Sequence, residues 1–343
     1  MKISISIGGY AGVDTAGTVD FVRQAEKLGV DCVWTAEAWG QDAVTALAYL
    51  APQTSRIKLG TGIMQISARV PSMTAMTALS LNALSGGRFV LGLGASGPQV
   101  VEGLHGVDYT APLSRLKETV DIVRLAFKGE KLAYQGRYHE LPRPGGEGKA
   151  LRLDHKPADI PIFLATLGPK SLEYTGAAAD GWLGTSFSPD HAEAHLAYLR
   201  QGAEGVGRTL DDIELHATCS IGIGDNVEEL IDARRPGVAF SMGAMGSATT
   251  NFYNDAFQRA GFADDARAIQ QLWLAGKRRE AAARVPDEMI TRFGAIGTPE
   301  MVRERFRRYR QAGIDSLTLR LDGDTAARIA VLEQVMDLLR DLD

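Results

Sequence analysis

A (β/α)8 TIM barrel with insertions is the fold the sequence predicts, on three observations. Short β-branched segments alternate with alanine-rich helical segments along the chain, eight strand candidates can be counted, and no linker or change of composition divides the 343 residues into halves. Strands followed by helices imply parallel pairing with right-handed crossovers. The count of eight and the undivided composition favour a closed barrel over an open doubly wound sheet.

The elements follow in order. Residues 3–8 form the first strand, and 15–28 a helix with Val19, Val22, Ala25 and Leu28 at helical spacing and Gly29 as its stop. Strands are expected at 32–35, 57–63 and 88–94, with helices over 42–50, 71–84 and 112–127. After a Gly- and Pro-rich loop at 141–148, strands are expected at 160–165, 181–184, 213–223 and 316–321. The matching helices are 169–178, 189–203, 299–311 and 325–339. Residues 226–286 carry helical patterns without a strong strand. They predict a helical insertion after the seventh strand, so that 1–343 form one barrel domain.

Composition narrows the function classes. Hydrophobic residues make up 45% and charged residues 23% of the chain, the balance of a globular protein. A net charge of -5 argues against a nucleic-acid partner. No apolar run reaches the ~18 residues of a membrane span, and no signal-like apolar run opens the chain. Cys32 and Cys219 make neither a disulfide framework nor a metal cluster. A cytoplasmic protein acting on a small molecule is expected.

In such a barrel the active site lies at the C-terminal strand ends. Those ends read Gly8-Gly9-Tyr10, Ala36-Glu37-Ala38-Trp39, Gly62-Ile63-Met64-Gln65, Gly94-Ala95-Ser96-Gly97, Ala165-Thr166-Leu167-Gly168-Pro169 and Thr185-Ser186-Phe187, followed by 219–224 and Arg320. Glycines and small residues predominate, which describes a backbone-lined pocket for a flat ring with few ionisable groups. The six histidines are scattered; His191 and His195 stand four apart, but without a third ligand they are expected on a solvent-facing helix. No G-x-S-x-G occurs, so no nucleophile elbow is present. Gly92–Gly97 matches G-x-G-x-x-G in form, yet no acidic residue follows at the required distance and no prompt helix is expected after Gly97. A wall for a flavin-like ring is the preferred reading. At 165–171 a strand end, a glycine and Pro169 make either an anion site at a helix N-terminus or an ordinary βα turn.

Four motifs, taken together in order, resemble the coenzyme F420-dependent branch of the luciferase-like superfamily. They are Leu59-Gly60-Thr61-Gly62-Ile63 with Arg69 and Pro71 downstream, Gly86-Gly87-Arg88-Phe89-Val90-Leu91-Gly92-Leu93-Gly94, Gly168-Pro169-Lys170, and Ala179-Asp180-Gly181-Trp182. The resemblance covers almost the whole chain. Its nearest group is a set of actinobacterial oxidoreductases related to methylenetetrahydromethanopterin reductase and F420-dependent glucose-6-phosphate dehydrogenase.

The resemblance implies a bulge with a non-prolyl cis peptide at Gly62-Ile63, continuing into Met64, that backs the deazaflavin ring and exposes C5 for hydride transfer. It implies that Glu37 contacts the ring and that Trp39 walls the reaction centre, both as catalytic candidates. Gly94, Ala95, Ser96 and Gly97 would border the ring edge. Ala165, Thr166, Leu167, Gly168 and Pro169, with the Thr185 hydroxyl, would hold the cofactor phosphate. Ala38 stands where relatives carry a catalytic histidine, Gly97 where they carry a carboxylate, and no phosphate-gripping lysine lies near Ser188. Glucose 6-phosphate is therefore not the expected substrate, and a proton donor does not carry over. Met242, Met245, Phe252, Tyr253 and Phe257 would form an apolar lid or simply pack among themselves, and His105 is expected at the surface. FMN is the alternative cofactor, as in the monooxygenases of the superfamily. A non-catalytic cofactor-binding barrel is the further alternative, and relatives imply a homodimer.

Overall fold

The computed structural model describes residues 1–8, 15–247, 249–340 and 342. Eight strands close into a parallel barrel: β1 (Lys2–Ser6), β2 (Cys32–Thr35), β3 (Lys58–Thr61), β4 (Phe89–Gly94), β5 (Ile162–Leu164), β6 (Gly181–Gly184), β7 (Glu214–Ile223) and β8 (Ser316–Arg320). Each pairs with the next, and β8 closes on β1 with Lys2 opposite Ser316. The fold is the (β/α)8 barrel that the sequence predicts.

The apolar runs become strands because both their faces are covered. Every residue of β2 and β4 is buried, as expected where helices cover one face of a parallel sheet and the barrel interior fills the other. Inside, Cys32, Trp34, Val90 and Phe163 form a cluster, with the His216 ring edge-on to Phe163 at 5.1 Å. Gly92 lets β3 and β4 approach closely. A Cβ there would fall 1.8 Å from the Thr61 carbonyl oxygen, and the Thr61 hydroxyl both donates to the Gly92 carbonyl and accepts from its N–H, each at 2.9 Å.

The outer helices are α1 (Thr15–Leu28), α2 (Ala43–Leu50), α3 (Pro71–Leu84), α4 (Pro112–Phe127), α5 (Pro169–Ala178), α6 (Glu193–Glu204), α7 (Pro299–Gln311) and α8 (Thr325–Arg340). A 3-10 turn, Pro189–His191, takes the start of the helix expected from 189.

The helical segment after β7 extends beyond residue 286, to a helix at Asp287–Thr291. A short strand, Gly294–Gly297, then adds to the outer end of β7 with Ser220 opposite Gly294. That strand is absent from the sequence reading because Gly-Ala-Ile-Gly has too little β-branched character to register. The segment carries its own apolar cluster, in which Met242 and Phe257 pack with Phe262, Ile269 and Met289. Met242 and Phe257 thus serve local packing, while Phe252 is exposed and Tyr253 is half-buried. Among the described residues no helix is long and apolar enough to cross a membrane, and no group of three or more His, Cys, Asp or Glu could hold a metal ion.

Candidate active site at the barrel mouth

At the end of β3 the chain leaves the barrel through a bulge. The Gly62 N–H donates to the Thr35 carbonyl at 2.6 Å and the Glu37 N–H to the Ile63 carbonyl at 3.1 Å. The Gly62–Ile63 peptide is cis, as the resemblance implies. The chain then rejoins the sheet, with Met64 opposite Leu93 and Gln65 opposite Gly94. Met64 is wholly buried, beneath the surface of the bulge.

Glu37 is the brace of this bulge. Its carboxylate accepts the Gln65 N–H at 3.0 Å, the Ala43 N–H at 3.3 Å, and the Arg69 guanidinium through both oxygens at 2.8 and 2.7 Å. The Glu37 side chain is only 6% exposed. Four donors occupy the four ordinary lone-pair directions of a carboxylate. That geometry conflicts with a catalytic role for Glu37 and gives it a positional one.

Trp39 projects from the loop after β2 and is 59% exposed, so it is no part of the core. Its ring lies 6.4 Å from Phe240 on the helix Arg235–Ala244, and Phe240 meets Trp273 edge-on at 5.7 Å. These aromatics join the β2 rim to the insertion.

At the end of β4, Gly94 is buried and Ala95 half-buried, and Ser96 takes a left-handed conformation with φ 59°. The Tyr109 hydroxyl donates to the Ser96 carbonyl at 3.0 Å. Contrary to expectation a helix does begin after Gly97, but Pro98–Val101 is a single turn. Ser186, at the end of β6 beside the half-buried Thr185, is left-handed too, with φ 52°. Such residues are uncommon and gather at functional sites.

The β5 end divides into committed and open groups. The Ala165 N–H bonds the Leu93 carbonyl at 3.0 Å. The Thr166 hydroxyl bonds Thr175 at 2.7 Å, and its carbonyl accepts from Trp182 Nε1 at 3.0 Å. These bonds commit the Ala165 N–H to the sheet and the Thr166 hydroxyl and carbonyl to the core, which removes the Ala165 N–H as an anion donor; the Thr166 N–H makes no hydrogen bond among the described residues. The N–H groups of Leu167 and Gly168 make no hydrogen bond among the described residues. Gly168 caps α5 and Pro169 opens it. Arg259, from the insertion, donates Nη2 to the Leu167 carbonyl at 2.6 Å. Its Nε is buried without a partner, and no carboxylate pairs with it among the described residues. Burial lowers its pKa, but an arginine stays charged. Open N–H groups, the positive end of α5 and a guanidinium without an ion-paired carboxylate are features that favour an anion.

Sequence reasoning missed Arg259 and placed Ser186 and Gln65 at strand ends without giving them a role; Gln65 is 2% exposed with Oε1 unpartnered. A buried amide oxygen without a partner is costly. Together with the small-residue wall at 94–97 and the anion-favouring end of β5, it fits a polar, planar ring bearing a phosphate. Gly9 and Tyr10 lie outside the described residues, and His105 is exposed. His195 is not solvent-facing: it is 1% exposed and packs against Trp182 and Phe187.

Comparison with known proteins agrees with this geometry. The family model described as luciferase-like monooxygenase matches residues 2–316. A Mycobacterium tuberculosis protein named as a coenzyme F420-dependent oxidoreductase is 38% identical over 93% of this chain and 94% of its own length. The 5,10-methylenetetrahydromethanopterin reductase of Archaeoglobus fulgidus is 30% identical, covering 86% of each chain. The solved coenzyme F420-dependent tetrahydromethanopterin reductase of Methanopyrus kandleri superposes with a TM-score of 0.82 at 23% identity, covering 100% of this chain and 99% of that one. With its barrel, its bulge after β3 and a family match over nearly its whole length, the chain belongs to the luciferase-like monooxygenase family.

Proposed function

We propose that the protein is a coenzyme F420-dependent oxidoreductase that transfers a hydride between the cofactor and a small organic substrate. The observation that carries this reading is the pairing of a braced bulge at one side of the mouth with an open anion site at the other. Kinship with a 38% identical protein of that name supports it.

Bound F420 would supply the hydride donor or acceptor at C5. The backbone of Gly62, Ile63 and Met64 would back the ring, kept in place by Glu37 and Arg69. Gly94, Ala95, Ser96 and Gly97 would border its edge. The N–H groups of Leu167 and Gly168, the Thr185 hydroxyl and the Arg259 guanidinium would hold the phosphate. Trp39 and Phe240 would shield the reacting carbon from water and orient an apolar part of the substrate. The work of these residues is positioning and exclusion of solvent.

Titration of the purified protein with F420 and with FMN, followed by fluorescence, tests the cofactor. F420 should bind at least tenfold more tightly; tighter FMN binding would make the protein a flavin enzyme instead. Reduced F420 is then mixed with enones, imines, ketones and nitroaromatics in single turnover. Oxidation by at least one class is expected, and none with any class would leave a binding protein.

A further inference from the structure

A cavity lies between the segment 66–70 after the bulge and the segment that follows β4, with His139 on one side. Its volume is about 290 Å3, just below the roughly 300–1,000 Å3 usual for small-molecule sites. Ile66, Ala95, Val101 and Val107 give it apolar walls. Only Ala95 is shared with the ring wall of the mouth.

Its charges are unevenly satisfied. Arg69 lines the cavity but is neutralised by Glu37. Arg115 also lines it, held by Nε to the Thr110 carbonyl at 3.0 Å and stacked on Tyr138 at 4.7 Å. The two Nη groups of Arg115 have no acceptor and no carboxylate among the described residues. Asp108 is the acidic group in the wall; it is exposed, accepts the Thr110 hydroxyl at 2.9 Å, and is screened by solvent. Ser67 Oγ, also in the wall, is buried without a partner. The N-termini of α3 and α4 open beside it at Val70 and Pro112 and add positive potential.

We propose that this cavity binds a small organic carboxylate with an apolar body. The carboxylate pairs with Arg115 and takes the Ser67 hydroxyl as a donor, while an aliphatic or aromatic body fills the space between Ile66, Val101 and Val107. A guanidinium offers two parallel N–H groups matched to a carboxylate, and a neutral ligand would leave it unpaired. The site does not depend on which cofactor the mouth takes.

Calorimetric titration with 4-phenylbutyrate and hexanoate, each against its neutral amide, tests the proposal. Saturable binding of at least one carboxylate is expected, with at least a tenfold loss for the amide and for Arg115→Met, and recovery in Arg115→Lys. Val107→Trp, at a part-exposed position, should fill the cavity and abolish binding while the melting temperature stays near that of the parent. Absence of saturable binding by both acids, or unchanged binding in Arg115→Met or Val107→Trp, would overturn it. Failure of the parent protein to bind F420 would count against the function proposed above and leave this titration to be read on its own terms.

Discussion

The two ends of the barrel are built from the same eight strands and treat their polar groups in opposite ways. At the N-terminal end the charged groups are paired, although His216 Nδ1 is buried without a partner: Glu214 accepts from Lys2 at 2.9 Å and contacts His216 Nε2 at 3.0 Å, and Lys58 meets Asp31 at 3.3 Å. Asp315 accepts the Leu215 N–H at 2.8 Å, and the Ser4 and Ser316 hydroxyls share a bond at 2.9 Å. At the C-terminal end, Arg259 lacks a carboxylate, Gln65 Oε1 lacks a donor, and Ser96 and Ser186 are left-handed. One end is arranged for stability, while the other keeps donors, acceptors and strain in reserve for a ligand.

Glu37 is the exception at the mouth, and removing it should have the largest effect. Glu37→Ala leaves a part-buried guanidinium without its carboxylate and two backbone N–H groups unsatisfied, so a loss of about 2–4 kcal/mol is expected in urea unfolding. Glu37→Gln should lose less. A Glu37→Ala protein as stable as the parent would remove the brace from the account.

Arg259→Met sharpens the contrast from the other side. A hydrogen bond to a charged group is worth about 1.5–3 kcal/mol, so F420 should bind about 10- to 100-fold more weakly. The same deazaflavin lacking its phosphate should bind both proteins alike. Equal loss for the two ligands would mean that Arg259 supports the loop and not the anion.

Acid sensitivity separates the ends further. Burial, aided by the charge of Arg259, pushes His195 down to about 4. Its neutral form is the one that fits the fold, so stability should fall as pH drops from about 6.5 through 4. His195→Phe should flatten that part of the stability profile. Glu214 is held down at about 2, chiefly by its hydrogen bond with His216 and against the opposing effect of burial. Its contribution is present above the ordinary carboxylate range and is lost as pH falls from about 4.5 toward 2. Glu214→Gln should remove this smaller acid limb, because Glu214 is partly exposed, and should leave F420 affinity unchanged. A change in that affinity would show that the two ends are coupled.

The barrel was legible because parallel strands buried on both faces are written as short apolar runs, such as 88–94. Gly294–Gly297 was not, since four small residues carry no period. The strand ends direct attention to the barrel mouth. What each side chain does there did not follow, because it depends on partners remote in sequence. The Leu167–Arg259 contact joins residues 92 positions apart, and nothing in a helical segment with several arginines marks that one. The Ala165 N–H was expected to face an anion, and only the folded sheet shows that the Leu93 carbonyl takes it. Glu37 was read at a strand end and Arg69 downstream of a motif, yet only the folded bulge reveals their pairing.

The anion grip has two owners. In the proposed reading its backbone half would belong to the barrel, at Leu167 and Gly168, while its cation would ride on the inserted segment at Arg259. Lifting that segment would withdraw the positive charge and leave the amides behind, so unloading a phosphorylated guest and swinging the segment outward would be one and the same event.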